Sequence, residues 1–359
     1  MHRRAGRSIK RRRVESAPAE RLWFDDGNII LQAEDKQFKV HKSFLARHSK
    51  VLAGMLSAPG SGVHNPNCRT GHAATYSSTG GTSVDNCPVV TLPDSGEDWE
   101  ELLTVLYDTF RKVKSTEPYQ VGTLIAMLRL GHKYEFDDCK EEALTCILEE
   151  FPHQSRMRLF DYFTVNPNYH TEGIMCGPKL ITFGSEHSFF DLLNVAVELR
   201  LEPILPVLLL MAVYLPAFPA TIFEGTKSIS GNITTLVSPS IQQLIISARE
   251  KLQRAVGDVI YPFLLDGRTI PAPKCQSRDQ CEANRLKLIQ TIWVPLPSLD
   301  HAFPFGRSHK LLSEHGLCAR CEEIGREYTS DGHEALWNSL PRLFGLGDWA
   351  TLENFKFDL

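Results

Sequence analysis

What most constrains this chain is a change of hydrophobic period with no turn to mark it. In "FKVHKSFLARHS", residues 38–49, Phe38 and Val40 alternate with Lys39 and His41, the pattern of a half-buried strand. Ser43 then offers an N-cap, and Phe44-Leu45 open a helix directly. The fold must therefore lay a helix straight off the end of a strand. The flanking residues extend the pattern. In "FDDGNIILQA", residues 24–33, Ile29, Leu31 and Ala33 share one side of a strand while Gln32 faces away. Glu34-Asp35-Lys36 turns the chain, and 37–41 returns as the second hairpin arm. Ser49 is placed to cap a second helix, whose Val51, Leu52, Met55 and Leu56 form one stripe.

Residues 58–87 are rich in Gly, Ser, Thr and Asn and lack apolar periodicity, so a disordered insertion is expected there. His64, Cys68 and His72 fall inside it, with no packed shell to orient them around a metal. "PVVTL" (88–92) reads as a short strand, and Ser95 with Asp98 as a capping box ahead of Trp99, Leu102, Leu103, Leu106 and Tyr107. Val121, Leu124, Ile125 and Leu128 predict a helix closed by Gly131. Leu144, Ile147, Leu148 and Phe151 predict another, ended by Pro152. Hairpin, helix pair, strand and three helices make an α+β unit.

Residues 22–152 resemble a BTB/POZ domain, in particular the kind found in many basidiomycete fungal proteins. The family's spaced pattern falls on His41, Lys42, Leu45, Ser49, Leu52, Met55 and Leu56, with Leu replacing the aromatic and the last Phe. The "DGNIILQAED" and "PVVTLPDS" segments are similar to the fungal branch. The resemblance implies a small sheet flanked by helices that binds protein partners, with self-association left open. Asn28 stands where many members carry an acid, which leaves a charged pocket with Lys42 without its usual partner. Family members that form strand-swapped dimers have a helix and strand ahead of the hairpin; only 21 residues, mostly basic and Pro/Ser-bearing, precede Leu22, so a swapped dimer is not assured. His41, leaving a strand beside a helix start, is expected to be packed and hydrogen-bonded.

Beyond 153, helical stripes occur at 188–199, 204–215, 240–256, 279–293 and 311–328, with a short one at 332–343. The expected organisation is a disordered basic tail (1–21), the BTB/POZ-like unit (22–152), a helical region (153–265) and a Cys-containing helical region (266–359). A Pro-rich connector, 294–304, precedes the last helices. Ile204–Phe218 is too short to span a bilayer and is broken by Pro206 and Pro216, so a buried helix is expected.

Charge is unevenly divided. Residues 1–13 hold seven basic side chains and no acid, while the other 346 residues hold 32 basic and 43 acidic ones, a net −11. An acidic body is poorly suited to binding nucleic acid through phosphates. The run Lys10, Arg11, Arg12, Arg13 reads either as a nuclear-import signal or as a solvated arm, placing the chain in the nucleus or the cytoplasm.

Nine cysteines without an export signal point to a reducing compartment. Four of them pair by spacing: Cys275 and Cys281 as C-x5-C before one helix, Cys318 and Cys321 as C-x2-C opening another. Two thiol pairs suit a closed, tetrahedral structural zinc site. Buried free thiols and a redox or disulfide pair are the alternatives, and His309 or His315 could replace one cysteine. Cys139 and Cys146 are expected to fill the core. There is no phosphate loop, no His-Glu-x-x-His and no Gly-x-Ser-x-Gly. The expectation is a non-catalytic protein-binding chain, with no cofactor beyond structural zinc. The alternatives are a nuclear transcription regulator and a substrate adaptor of a cullin-type ubiquitin ligase.

Overall fold

The computed structural model describes residues 17–57, 83–84, 87–108, 118–151, 180–182, 186–214, 219–227, 233–236, 238–293 and 308–356. The chain is α+β and divides into two compact units, one of 1–116 with 122–144 and the other of 117–121 with 145–359.

The first unit is built on a sheet of five strands: β1 (Ala17–Trp23), β2 (Ile29–Ala33), β3 (Lys36–Val40), β4 (Ser83–Val84) and β5 (Cys87–Leu92), in the order β1-β3-β2-β5-β4. β2 and β3 form the expected hairpin, with Leu31 opposite Phe38, and Glu34 at its turn has φ 51°. β5 runs parallel to β2. β2 lies between two strands and is covered on both faces, so Ile30 is as buried as Leu31. β1 runs parallel to β3 at the edge, which puts residues 17–21 of the expected tail in a strand. The rest of that tail lies outside the described residues. Likewise Ser83-Val84 and Cys87 of the expected insertion are in strands, and the remainder of 58–87 lies outside.

After β3 the chain enters α1 (Lys42–His48) at once, then α2 (Lys50–Ser57). Ser43 does not cap α1. The Lys42 N–H instead donates to Asn28 Oδ1 at 2.8 Å, so the cap is supplied from the hairpin's other arm. Ser49 does cap α2, accepting from the Leu52 N–H at 3.0 Å. α3 (Gly96–Tyr107) is capped by Ser95, which accepts from Glu97 and Asp98 N–H groups. The Asp98 carboxylate faces Arg129 at 3.6 Å.

α4 (Val121–Tyr134) does not end at Gly131. Its turn is at Glu135, φ 55°, before α5 (Asp137–Glu150). Gly131 is a point of close approach, since a Cβ there would lie 3.0 Å from Lys140 Cβ. Phe38, Leu45, Leu52, Trp99, Leu102, Leu103, Leu124 and Phe136 are among the side chains filling this unit's core.

The second unit is mainly helical. Its strands are short: β6 (Tyr119–Gln120) with β7 (Ile181–Thr182), and β8 (Thr226–Lys227) with β9 (Ile233–Thr234). The helices are α6 (Glu186–Glu198), α7 (Leu205–Val213), α8 (Ala220–Glu224), α9 (Pro239–Ala255), α10 (Pro262–Leu265), α11 (Arg278–Trp293), α12 (Ser308–Glu314) and α13 (Ala319–Leu343). All nine residues of α7 are buried, as its composition requires. Among the described residues no helix is long and apolar enough to cross a membrane.

The two stripes expected at 311–328 and 332–343 are divided differently. Gly316, φ 68°, breaks the chain, and a single helix of 25 residues follows. Gly332 lets this helix lie against the π-helical turn Val256–Ile260 that continues α9. The expected regions 153–265 and 266–359 are thus parts of one unit. The connector 294–304 lies outside the described residues.

Candidate metal centre

Four cysteines converge in the second unit. Cys275 sits on the loop after α10, just past Lys274, whose φ of 66° redirects the chain. Cys281 is not ahead of α11 but in its first turn. Cys318 is the N-cap residue of α13, and Cys321 lies one turn in. The C-x5-C spacing works because one thiol comes from a loop and the other from a helix.

Local hydrogen bonds hold this arrangement. The Asn284 amide of α11 donates to Gly316 O at 2.7 Å, tying the turn before Cys318 to the helix that carries Cys281. Arg285 donates to Leu264 O, fixing α11 against α10. The Ala272 N–H donates to Cys321 Sγ at 3.3 Å, and the Cys318 N–H to Cys281 Sγ at 3.2 Å.

The four Sγ atoms lie within 4.8 Å of one another, with Cys275 and Cys318 3.6 Å apart. Tetrahedral zinc–thiolate bonds of ~2.3 Å place sulfurs ~3.8 Å apart, so one ion fits after small side-chain rotations. The 3.6 Å separation is far from the ~2.05 Å of a disulfide, and all four thiols are free. Cys281 and Cys321 are fully buried, while Cys275 and Cys318 are half-buried.

The electrostatics favour an anion at one corner. The Cys321 backbone N–H, at the start of α13, draws the Cys318 thiol down to about 6. Burial pushes the Cys281 and Cys321 thiols up. A divalent cation would displace these protons and neutralise the buried sulfurs.

His315 is not a substitute ligand. Its Nδ1 lies 2.8 Å from Leu311 O and its Nε2 3.1 Å from Thr291 Oγ1. The His309 side chain, and all of His64, Cys68, His72 and Cys176, lie outside the described residues. Cys87 and Cys139 are buried apart from the cluster, and Cys146 is half-buried.

The residues named on the BTB/POZ pattern have separate roles in the first unit. Leu45 and Leu52 are fully buried, Met55 is half-buried and Lys42 is exposed. Ser49 Oγ donates to the Tyr134 carbonyl, pinning the helix pair to the end of α4. His41 is half-buried, with Nε2 3.1 Å from Asp26 and Nδ1 3.3 Å from the Tyr107 hydroxyl. That hydroxyl also accepts from the His41 N–H. The bond from His41 holds the Asp26 carboxyl below its usual range, and burial raises the Tyr107 phenol.

Around His41 the rings of Phe24, Phe44, Tyr107 and His48 form a half-buried cluster. Phe44 and Phe24 lie 4.4 and 4.7 Å from Tyr107. Sequence reasoning put Tyr107 on a helix stripe without its link to His41 and did not single out Asp26, because no local period marks either contact.

No family model, curated protein or solved structure matches the chain.

Proposed function

We propose that this chain is a non-catalytic protein-binding protein with two working parts. The first unit is a BTB/POZ-type module, and the cysteine cluster of the second holds a structural zinc ion. Support for the module comes from its order of elements, in which a hairpin runs directly into a helix pair and a parallel strand leads into further helices. The observation that carries partner binding is the half-exposed ring cluster of Phe24, His41, Phe44, His48 and Tyr107. Aromatic side chains presented with a polar edge are the usual anchors of protein interfaces.

The test is quantitative capture of interacting polypeptides by the full chain and by its Phe44→Ala variant. Loss of at least one interactor, with the melting curve within about 2 °C of wild type, supports the reading. An unchanged set of interactors overturns it.

For the metal, all four ligands come from the protein, leaving no position for substrate, so the ion would be structural. It would staple the loop after α10 and the start of α11 to the start of α13. Metal analysis of the purified chain is expected to give about one zinc per molecule, and a strong chelator to lower the melting temperature. A content below about 0.2 zinc after purification in zinc-containing buffer refutes the zinc reading.

A further inference from the structure

We propose that Cys275 is a modification site. Hydroperoxides oxidise it ahead of the other three cysteines, Cys318 closes a disulfide onto it, and the metal is released. This rests on the zinc reading above.

The four thiols are not equivalent. Cys281 receives the Cys318 N–H, Cys321 receives the Ala272 N–H, and Cys318 sits at the N-cap of α13, where the positive end of the helix draws on its charge. A donated N–H draws electron density from a thiolate and lowers its nucleophilicity. Among the described residues no backbone N–H reaches Cys275 Sγ, whose hydrogen-bonding neighbour is Cys318 Sγ. Cys275 is therefore the most electron-rich sulfur of the set.

Access points the same way. Cys275 is half-buried on a loop, whereas Cys281 and Cys321 are fully buried in helical first turns. The resolving thiol is also in place. Cys318, half-buried too, is 3.6 Å away and on a different segment, so closing a bond of ~2.05 Å needs a sulfur movement of ~1.5 Å.

The chemistry balances. The Cys275 thiolate attacks the hydroxyl oxygen of the hydroperoxide, the S–O bond forms as the O–O bond breaks, and hydroxide or alkoxide departs, which leaves Cys275 as a sulfenic acid. The Cys318 thiolate then attacks the sulfenic sulfur, the S–S bond forms, the S–O bond breaks, and a second hydroxide leaves. The two sulfurs together lose two electrons, and the peroxide gains them. With two of four ligands consumed, the ion keeps only Cys281 and Cys321 and dissociates.

The experiment uses the full zinc-loaded chain and hydrogen peroxide. Zinc release is read with a chromogenic chelator, and disulfides are mapped by mass spectrometry without reduction. Zinc release is expected to track a Cys275–Cys318 disulfide one for one, with Cys281 and Cys321 still alkylatable. In Cys318→Ser, dimedone is expected to trap the sulfenic acid at Cys275. In Cys275→Ser, the release that peroxide adds to the variant's own peroxide-free loss is expected to fall. Should the variants fail to fold, the wild-type map decides alone. A first disulfide at Cys281–Cys321 or Cys318–Cys321, or zinc lost while Cys275 stays reduced, overturns the proposal. A chain that holds zinc unchanged through peroxide overturns this inference alone, and one that takes up no zinc overturns the zinc reading with it.

Discussion

Replacing glycine by alanine should have opposite signs at two helical positions of this chain. At Gly332 in α13, an added Cβ would lie 2.5 Å from Val259 O and 2.7 Å from Ile260 Cα. Both are backbone atoms of the π-helical turn, so no side-chain rotation relieves the overlap and the helix must move. Overpacking against unyielding backbone at these distances belongs at the upper end of the usual range, about 2–3 kcal/mol. Alanine's better helix propensity offsets about 1 kcal/mol of that. A net loss of about 1–2 kcal/mol remains, worth roughly 2–8 °C in a unit of this size. At Gly122, in the first turn of α4, nothing lies within 4 Å, so only a propensity gain acts, smaller than the ~1 kcal/mol of a helix interior. Thermal melts of the two variants beside wild type give the comparison. Gly332 is eleven residues along α13 from Cys321, about 16 Å, so a displaced helix is also expected to weaken zinc retention against a competing chelator. Gly332→Ala as stable as wild type, or stabilised like Gly122→Ala, would refute the close approach.

Two further outcomes are expected in the first unit. Ser49→Ala leaves the buried Tyr134 carbonyl and the Leu52 N–H without their partner, a loss of about 1–3 kcal/mol by denaturant titration, while the exposed Ser57→Ala stays within about 0.5 kcal/mol. Equal effects of the two would count against the buried pin. Asp98→Asn tests whether burial outweighs the Arg129 pair, since burial raises the Asp98 carboxyl above its usual range. A raised folded-state value means the folded chain holds the proton more tightly than the unfolded one. Ionised Asp98 therefore costs stability at neutral pH, and the cost fades as pH falls through the raised value. Asp98→Asn should melt no lower than wild type at pH 7, with the difference closing in acid; a loss above about 1 kcal/mol at pH 7 would show that the ion pair dominates.

How much of this was legible in the sequence depended on whether a feature was local. The hairpin at 29–40 and the helix after it were readable because the switch from period 2 to 3.6 lies in one unbroken stretch. Ser49 and Ser95 were readable as caps because a cap bonds two or three residues ahead. The cap of α1 was not, since Asn28 reaches it across the hairpin, and Ser43 offered a plausible local substitute. Gly131 looked like a helix stop, and only the position of Lys140 shows that it makes room instead. The C-x2-C pair carried its own geometry, a helix start with two thiols one turn apart. Its partners at 275 and 281 depended on how α11 meets α13, set by contacts such as Asn284 with Gly316 that no spacing rule encodes.

The thiol cluster also alters what a break in the chain would mean. Residues 282–317 leave and return to the same four sulfurs, so with zinc bound their two ends are moored whatever lies between. Lengthening that stretch should cost little, as closure entropy grows only with the logarithm of length. If zinc is held there, a protease cut in 294–307 would leave two fragments joined through it as well as through the packing of Gly332 on Val259 and Ile260.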